Sequence, residues 1–133
     1  MAVQRISVVS VEIEDKPGSL QMLLAKIASA KVDLLCFAAY SAGGGRGRVY
    51  LSGKDPKALE SCAQAAGIKT SSAAGFIIGG GDEVGAAGRV LKGLADAGVN
   101  GIAGAAMVCD GQYHMLLIVE VADGDAAEKA LGA

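Results

Sequence analysis

The sequence predicts an α+β protein made of two βαββαβ units in tandem, the second without its last strand. Three observations predict this class. Of 133 residues, 52% are hydrophobic and 20% are charged, a balance typical of folded globular proteins. Segments rich in Val and Ile alternate with segments that have one apolar helical face. A shift of 67 residues places the second half of the chain on the first.

The internal repeat is clearest at two corners that open helices. Residues 15–18 (DKPG) fall on residues 82–85 (DEVG) at the spacing of 67. The apolar positions that follow have the same helical spacing in both copies, Leu20, Leu23, Leu24, Ile27 and Ala28 falling on Ala87, Val90, Leu91, Leu94 and Ala95. Further on, Asp33 falls on Asn100, and residues 55–60 match residues 123–128 at a spacing of 68. The order of matches favours a duplicated unit.

The first half contains the alternation expected of such a unit. Strands are predicted at residues 6–13, 34–41 and 48–52, and helices at residues 17–30 and from residue 55 to Gly67. Pro17 suits a first helical position because that N–H has no intrahelical partner. The apolar phase slips between Val8 and Val9, which indicates burial on both faces or a β-bulge. Residues 68–72 are compatible with a short fourth strand.

The second half repeats this order as far as its second helix. Strands are predicted at residues 76–78, 102–109 and 112–121, and a helix at residues 85–97. Asp110-Gly111 favours a type I′ hairpin turn. Asp125 and Glu128 resemble a capping box that starts a last helix of about two turns. Because no further strand follows, we expect residues 76–78 to form a sheet edge, covered by another chain or by residues 68–74.

The predicted element order is that of the ferredoxin-like split-βαβ plait, in which both helices pack on one face of a four-stranded antiparallel sheet. We therefore predict two domains, residues 1–72 and residues 73–133, the second truncated at its C-terminus. A plait of this size buries little apolar surface, so pairing of two plaits is favoured. The apolar edge at residues 76–78 further predicts a homodimer or a larger homo-oligomer.

Residues 13–35 resemble the first strand, helix and second strand of an ACT domain, a small regulatory plait of amino-acid metabolism. The ACT pattern is a polar residue, then x-P-G-x-L, an apolar-faced helix and G-V-[ND]-[IL]. Asp15, residues 17–20 and residues 32–34 supply it in the first copy. The second copy has Asp82, Gly85 and residues 97–102, with Val84 in place of the proline. The resemblance covers nearly the whole chain as a tandem pair.

This resemblance implies a non-catalytic, allosteric regulatory protein. ACT domains sit side by side and hold a small ligand, often an amino acid, at their interface. The loop after the first strand and the start of the second strand form the pocket. The implied ligand-binding residues are Asp15, Gly18, Ser19, Leu20 and Asp33 in the first copy, and Asp82, Gly85, Ala86 and Asn100 in the second. The implied partners are a small amino-acid-like ligand, another copy of the chain and a regulated enzyme.

The chemistry of the corners agrees with such a ligand. A helix start offers unpaired N–H groups and the positive end of the helix dipole to a carboxylate. Asp15 or Asp82 would accept hydrogen bonds from an α-ammonium group, and Asn100 offers both a donor and an acceptor. Two alternatives stay open. Asp15 is equally suited to capping the helix, and Asp33 and Asn100 to shaping turns. The chain as a whole is also compatible with a structural module that assembles through its sheet edges.

Charge and composition argue against other partners. The net charge is −2 and the pI is about 5.3, so neither nucleic acid nor an anionic membrane surface is an expected partner. The longest basic cluster, Arg46-Gly47-Arg48, is interpreted as a solvated turn. No signal peptide and no apolar run of about 20 residues are seen, and the three cysteines lack a CxxC motif. We therefore expect a cytoplasmic protein with reduced thiols.

No catalytic or cofactor motif stands out. The sequence has one histidine, His114, which we interpret as a sheet-face residue without a metal ligand nearby in sequence. The glycine-rich segment 79–88 lacks the G-x-G-x-x-G spacing of a dinucleotide-binding turn. We expect neither an enzyme nor a bound cofactor or metal.

Overall fold

A computed structural model describes residues 1–132 and contains six β-strands and four α-helices. The elements in chain order are β1 (Ala2–Glu14), α1 (Ser19–Ser29), β2 (Cys36–Gly43), β3 (Arg46–Ser52), α2 (Pro56–Ala65), β4 (Thr70–Gly81), α3 (Ala86–Asp96), β5 (Gly101–Cys109), β6 (Gln112–Glu120) and α4 (Gly124–Leu131). A short 3₁₀ turn (Val121–Asp123) precedes α4. The strand pairs β1–β3, β2–β3, β4–β6 and β5–β6 are antiparallel. The predicted α+β class is therefore confirmed.

The chain forms two compact units. The first unit comprises residues 7–72, and the second comprises residues 1–6 together with the residues from 73 onward. The second unit is thus discontinuous in sequence, because its first residues precede the first unit. The division into domains 1–72 and 73–133, and the layout of two separate plaits, stay predictions.

In the first unit the strand order is β2-β3-β1. Both neighbours of β3 run antiparallel to it, so that Leu51 lies opposite both Val9 and Phe37. The buried cluster of this unit comprises Val9, Val11, Leu23, Ile27, Val49, Leu51, Leu59 and Ala63, contributed by β1, β3 and the two helices. Val8 and Ser10, which alternate with the core residues of β1, are buried as well. The pairing with β3 runs without a register shift from Val9 to Glu14. Both faces of β1 are therefore buried at the slip in apolar phase, as one of the two interpretations predicts.

In the second unit β6 lies between β4 and β5. The β5–β6 hairpin turns at Asp110 and Gly111, whose φ angles of 51° and 73° are both positive. A type I′ turn requires this sign at both positions, so the predicted hairpin is confirmed. The buried cluster of this unit comprises Ala74, Phe76, Ile78, Val90, Leu94, Val99, Met115, Leu117, Val119, Ala127 and Leu131.

The prediction that residues 76–78 form a sheet edge covered by another chain or by residues 68–74 is wrong. The strand β4 includes most of residues 68–72 and all of residues 76–78. The prediction assigned the first segment to the end of the first unit and the second segment to the start of the second unit. This strand lies between β6 and β1, whose first residues belong to the same unit. Phe76 and Ile78 are consequently fully buried. The reason is that β1 begins at Ala2, earlier than predicted, so the chain's own first residues take the place assigned to another chain or to residues 68–74.

The predicted capping box at the last helix is also wrong. Asp125 and Glu128 instead accept hydrogen bonds from the Arg5 guanidinium, at 2.8 and 3.2 Å. Asp123 occupies the N-cap position without a side-chain hydrogen bond to the helix. A guanidinium with several donors is a stronger partner for two carboxylates than a single backbone N–H. Arg5 therefore ties the start of the chain to α4 within the second unit.

Gly53→Ala should destabilise the first unit. A Cβ at this position would overlap the carbonyl oxygen of Asp33 and lie 3.3 Å from Leu59 Cδ1. Because the carbonyl belongs to the backbone, relief requires a shift of the chain, and overpacking of this kind costs about 1–3 kcal/mol. Urea denaturation measures the change. The control is Gly81→Ala, where a Cβ meets nothing within 4 Å; a similar loss in both variants would contradict the steric explanation.

Lys31→Gly should stabilise the protein. Lys31 follows α1 with a φ of 57°, and Gly98 follows α3 with a φ of 73° at the equivalent position. Left-handed backbone costs a non-glycine residue roughly 1–2 kcal/mol, part of which the entropy of glycine offsets. We expect Lys31→Gly to raise the free energy of unfolding by up to about 1 kcal/mol and Gly98→Lys to lower it by a similar amount. Changes of the same sign in both variants would rule out this explanation.

Candidate functional site

The two predicted corners have the same backbone construction. Gly18 and Gly85 occupy the N-cap positions of α1 and α3 with φ angles of 89° and 85°. L-residues rarely adopt this left-handed conformation, so glycine is required at both corners. Each N-cap carbonyl accepts the first helical hydrogen bond, from Met22 N at 2.9 Å and from Arg89 N at 3.0 Å. The repeat seen in the sequence is thus reproduced in backbone geometry.

A hairpin loop holds each corner from outside the helix. The Asp15 N–H donates to the Gly45 carbonyl at 2.9 Å, and the Asp82 N–H donates to the Gly111 carbonyl at 2.9 Å. Both aspartates are exposed, and their carboxylates have no hydrogen-bond or ionic partner among residues 1–132. The backbone of each corner is therefore fixed while its carboxylate stays available.

Neither corner aspartate caps its helix. Both α1 and α3 start without a side-chain cap, whereas Asp55 caps α2 by accepting from Ala58 N at 3.1 Å. The alternative interpretation of Asp15 as a helix cap is therefore wrong. Its carboxylate precedes the N-cap residue by three positions, and the left-handed glycine at that position supplies the turn instead.

At each helix start, two backbone N–H groups lack an acceptor and one has an acceptor. Ser19 N and Ala86 N donate to the carbonyls of Lys16 and Glu83, at 3.2 and 3.1 Å. The next two N–H groups of each helix, those of Leu20, Gln21, Ala87 and Gly88, have no acceptor within residues 1–132. The first turns contain no acidic residue. Each corner therefore presents free donors at the positive end of a helix dipole.

A cavity lies at each corner. The first, of about 200 Å³, includes Asp15, Ser19 and Leu20 in its lining, along with Tyr40 and Arg48. The second, of about 330 Å³, includes Asp82, Gly85 and Ala86 together with Met107 and Tyr113. The structure thus brings corner residues of each copy together around one space. The linings differ, because charged side chains are concentrated at the first and methionines occur only at the second.

Ion pairs neutralise most of the remaining charge at the corners. Lys16 Nζ lies 2.8 Å from Glu14 Oε2, and the hydrogen bond between them lowers the pKa of Glu14 and raises the pKa of Lys16. At the second corner Arg89 lies 2.9 Å from Glu83 and also donates to the Val84 carbonyl at 3.2 Å. The carboxylates of Asp15 and Asp82 therefore remain as the unpaired charges of the sites.

Asp33 and Asn100 lie in the loops that precede β2 and β5, and both are exposed. The corner cavities do not include either residue. Asn100 lines a separate groove of about 570 Å³ between α3 and β5, whose walls include Leu91, Leu94 and Leu117. The structure therefore does not bring these two residues together with the corner of their own copy.

Sequence reasoning missed two residues of the first corner, Tyr40 and Arg48. They lie opposite each other in the β2–β3 pair, and Arg48 donates to Ser10 Oγ at 3.2 Å. Arg48 is half-buried, so its interpretation as part of a solvated turn is wrong. The signal that could have found them is the register of the β2–β3 hairpin. The glycine-rich loop between the two strands does not determine that register from sequence.

Other kinds of site find no support in the described chain. Within residues 1–132, His, Cys, Asp and Glu side chains form no group of three suited to a metal ion. His114 is an exposed residue of β6 that lies opposite Gly79 of β4. No helix in the same range is both long and apolar enough to cross a membrane.

No protein-family model and no curated protein sequence matches the chain. Solved structures do. A Bacteroides thetaiotaomicron protein superposes with a TM-score of 0.75 at 15% identity, over 96% of this chain and 88% of that one. The ligand-free regulatory subunit of aspartate kinase from Thermus thermophilus has a TM-score of 0.66 at 17% identity, over 98% and 93%. A structure of aspartokinase alpha and beta subunits has a TM-score of 0.68 at 15% identity, over 100% and 99%. The chain therefore has the fold found in regulatory subunits of aspartate kinase.

Proposed function

We propose that the chain is a non-catalytic regulatory protein that binds a small amino-acid-like ligand and transmits the bound state to an enzyme partner or to its own oligomer. One observation carries the proposal. Two helix starts, each with a left-handed glycine and free N–H groups, lie beside an unpaired aspartate on a fold shared with aspartate kinase regulatory subunits. In this proposal the ligand binds at the corners, and its binding there is the regulatory signal.

The charge pattern of a corner suits a zwitterion. The ligand carboxylate would accept hydrogen bonds from the N–H groups of Leu20 and Gln21, or from those of Ala87 and Gly88. The carboxylate of Asp15 or Asp82 would bind the ammonium group. Such a ligand brings a carboxylate to the N–H groups and an ammonium group to the aspartate, so both kinds of group gain a partner.

The two corners favour different ligand side chains. Tyr40 and Arg48 at the first corner favour a polar side chain. Met107 and Met115 at the larger second cavity favour an apolar one. The assignment of Asp33 and Asn100 to the ligand site stays a prediction, since the corner cavities do not include them.

A second candidate function is assembly through sheet edges. The edge strands β2 and β5 contain no charged residue and no proline. Phe37 and Met107 on these strands are 46% and 65% exposed. Each strand has a register shift near one end, between Ser41 and Gly43 in β2 and between Gly101 and Ala103 in β5. The remaining length of each strand is regular and uncharged, and such an edge is a surface for pairing. This observation supports a homodimer or larger homo-oligomer, now assigned to β2 or β5 and not to residues 76–78.

The ligand class is tested by thermal unfolding in the presence of each of the twenty amino acids. A ligand at 100 times its dissociation constant adds about 2.7 kcal/mol to the free energy of unfolding. We expect at least one amino acid to raise the melting temperature, and Asp15→Asn or Asp82→Asn to abolish that shift because the ammonium group loses its partner. The control is Glu120→Gln, an exposed carboxylate outside both corner cavities. A panel without any shift would exclude the ligand class, and shifts that persist in both aspartate variants would exclude the corners.

Sedimentation over a concentration series tests the assembly. We expect a dimer or larger species, and we expect Phe37→Lys or Met107→Lys to shift the population toward monomer, because a charge is costly to bury in a paired edge. Val84→Lys is the matched control, since Val84 is fully exposed and lies outside both strands. A monomeric wild-type protein would refute the proposal of edge pairing.

A further inference from the structure

The first unit contains another cavity, which we call the basic cleft. It has a volume of about 580 Å³ and lies between the end of β1, one face of α1 and the segment that follows α2. Ser19, Met22 and Lys26 face it from α1 at the i, i+3 and i+7 positions of one helical stripe. Ile68 and Lys69 face it from the segment after α2. With Arg46 at the start of β3, the cleft is therefore built from four separate segments of one unit.

Cationic side chains outnumber carboxylates in the lining. Four cationic residues contribute, Lys16, Lys26, Arg46 and Lys69, against two acidic ones, Glu12 and Glu14. Glu14 pairs with Lys16 at 2.8 Å, and Glu12 pairs with Arg46 at 3.3 Å. The ammonium groups of Lys26 and Lys69 have no ionic or hydrogen-bond partner within residues 1–132. The cleft thus carries two positive charges that no carboxylate of the described chain compensates.

The second unit provides an internal comparison. A cavity of about 290 Å³ occurs there at the equivalent place, and Ala86, Arg89, Val90 and Gly93 line it 67 positions after Ser19, Met22, Leu23 and Lys26. Gly93 stands where the first copy has Lys26, and Glu83 stands where it has Lys16. Arg89 is paired with Glu83 at 2.9 Å. The fold therefore forms the cavity in both copies, but only in the first copy do the lining side chains carry surplus charge.

The charge of the units has the same asymmetry. Residues 7–72 contain eight Lys and Arg against six Asp and Glu, a net side-chain charge of +2. The remaining residues contain four against eight, a net charge of −4. The overall charge of −2 conceals this difference. A cleft on the positive unit raises the local concentration of anions.

We propose that the basic cleft binds a phosphorylated small molecule, with Lys26 and Lys69 at the phosphate and Ile13, Met22 and Ile68 against the rest of the ligand. A phosphate monoester carries about −1.5 to −2 charges at pH 7, which matches the two unpaired ammonium groups. Lysine is a common phosphate ligand as a point charge. The volume lies within the ~300–1,000 Å³ range of small-molecule pockets and exceeds the needs of a free phosphate ion.

This site goes beyond the amino-acid site at the corners. A zwitterion has no net charge and would leave both lysines uncompensated. Lys16 and Ser19 line both the basic cleft and the first corner cavity. The two sites are therefore adjacent within one unit, and a test of the cleft must avoid these shared residues.

Isothermal titration calorimetry of the full chain at fixed ionic strength tests the proposal, with inorganic phosphate, adenosine 5′-monophosphate and adenosine as probes. We expect saturable binding of at least one of the two phosphate-bearing probes and none of adenosine. The double variant Lys26→Gln/Lys69→Gln should weaken that binding at least about tenfold, since each lysine supplies a charge-assisted contact. The matched control is Lys54→Gln/Lys57→Gln, which removes the same charge from exposed positions outside the cleft.

Binding that falls equally in both double variants would show a general charge effect and overturn the proposal, as would the absence of saturable binding of both phosphate-bearing probes. Backbone amide chemical shifts of the wild-type protein supply a readout that does not depend on the variants. The phosphate-bearing probe should shift the amides of α1 and of residues 66–69, and shifts confined to other elements would place the anion elsewhere. Amino-acid binding at Asp15 or Asp82 is measured separately, so either proposal can fail alone.

Discussion

The geometry of both candidate corners depends on one backbone hydrogen bond in each copy, from the corner aspartate N–H to a hairpin glycine carbonyl. It connects the end of the first strand to a turn that is distant in sequence, Asp15 to Gly45 and Asp82 to Gly111. With the strand end fixed, the chain has few residues in which to enter the helix, and a left-handed glycine makes the turn. The helix start is thereby left without a side-chain cap, which is what keeps its N–H groups available.

Much of the fold was predictable because its strongest signals are local. The apolar stripes of α1 and α3, the start of α2 at Asp55-Pro56 and the Asp110-Gly111 turn each involve a few neighbouring residues, and each appears where expected. Strand pairing is not local. Residues 2–5 carry no strong strand pattern, and only their position beside β4 makes them part of a sheet. The same distant pairing explains why Arg5 donates hydrogen bonds to Asp125 and Glu128. Their spacing alone, without Arg5, predicts a capping box.

The candidate site was predictable to about the same extent as the fold. The repeat located Asp15, Gly18, Asp82 and Gly85, because a corner between strand and helix is a contiguous segment. It did not locate Tyr40, whose place depends on the hairpin register, or the basic cleft, which forms where four separate segments of the first unit meet. Comparison of the two copies recovers part of this information, because it shows positions that share a fold but differ in charge, such as Lys26 and Gly93.

The discontinuity of the second unit affects how the protein can fold and be divided. Residues 1–6 belong with the residues from 73 onward, so the whole first unit is inserted between the two parts of the second. Bringing those parts together requires closure of a long loop, which is slow unless the inserted unit has already folded and shortened the distance. A chain emerging from the ribosome would thus hold its first strand half-paired until β4 has been synthesised. A segment excised at residue 73 would carry the core of the second unit but leave one side of β4 without its strand.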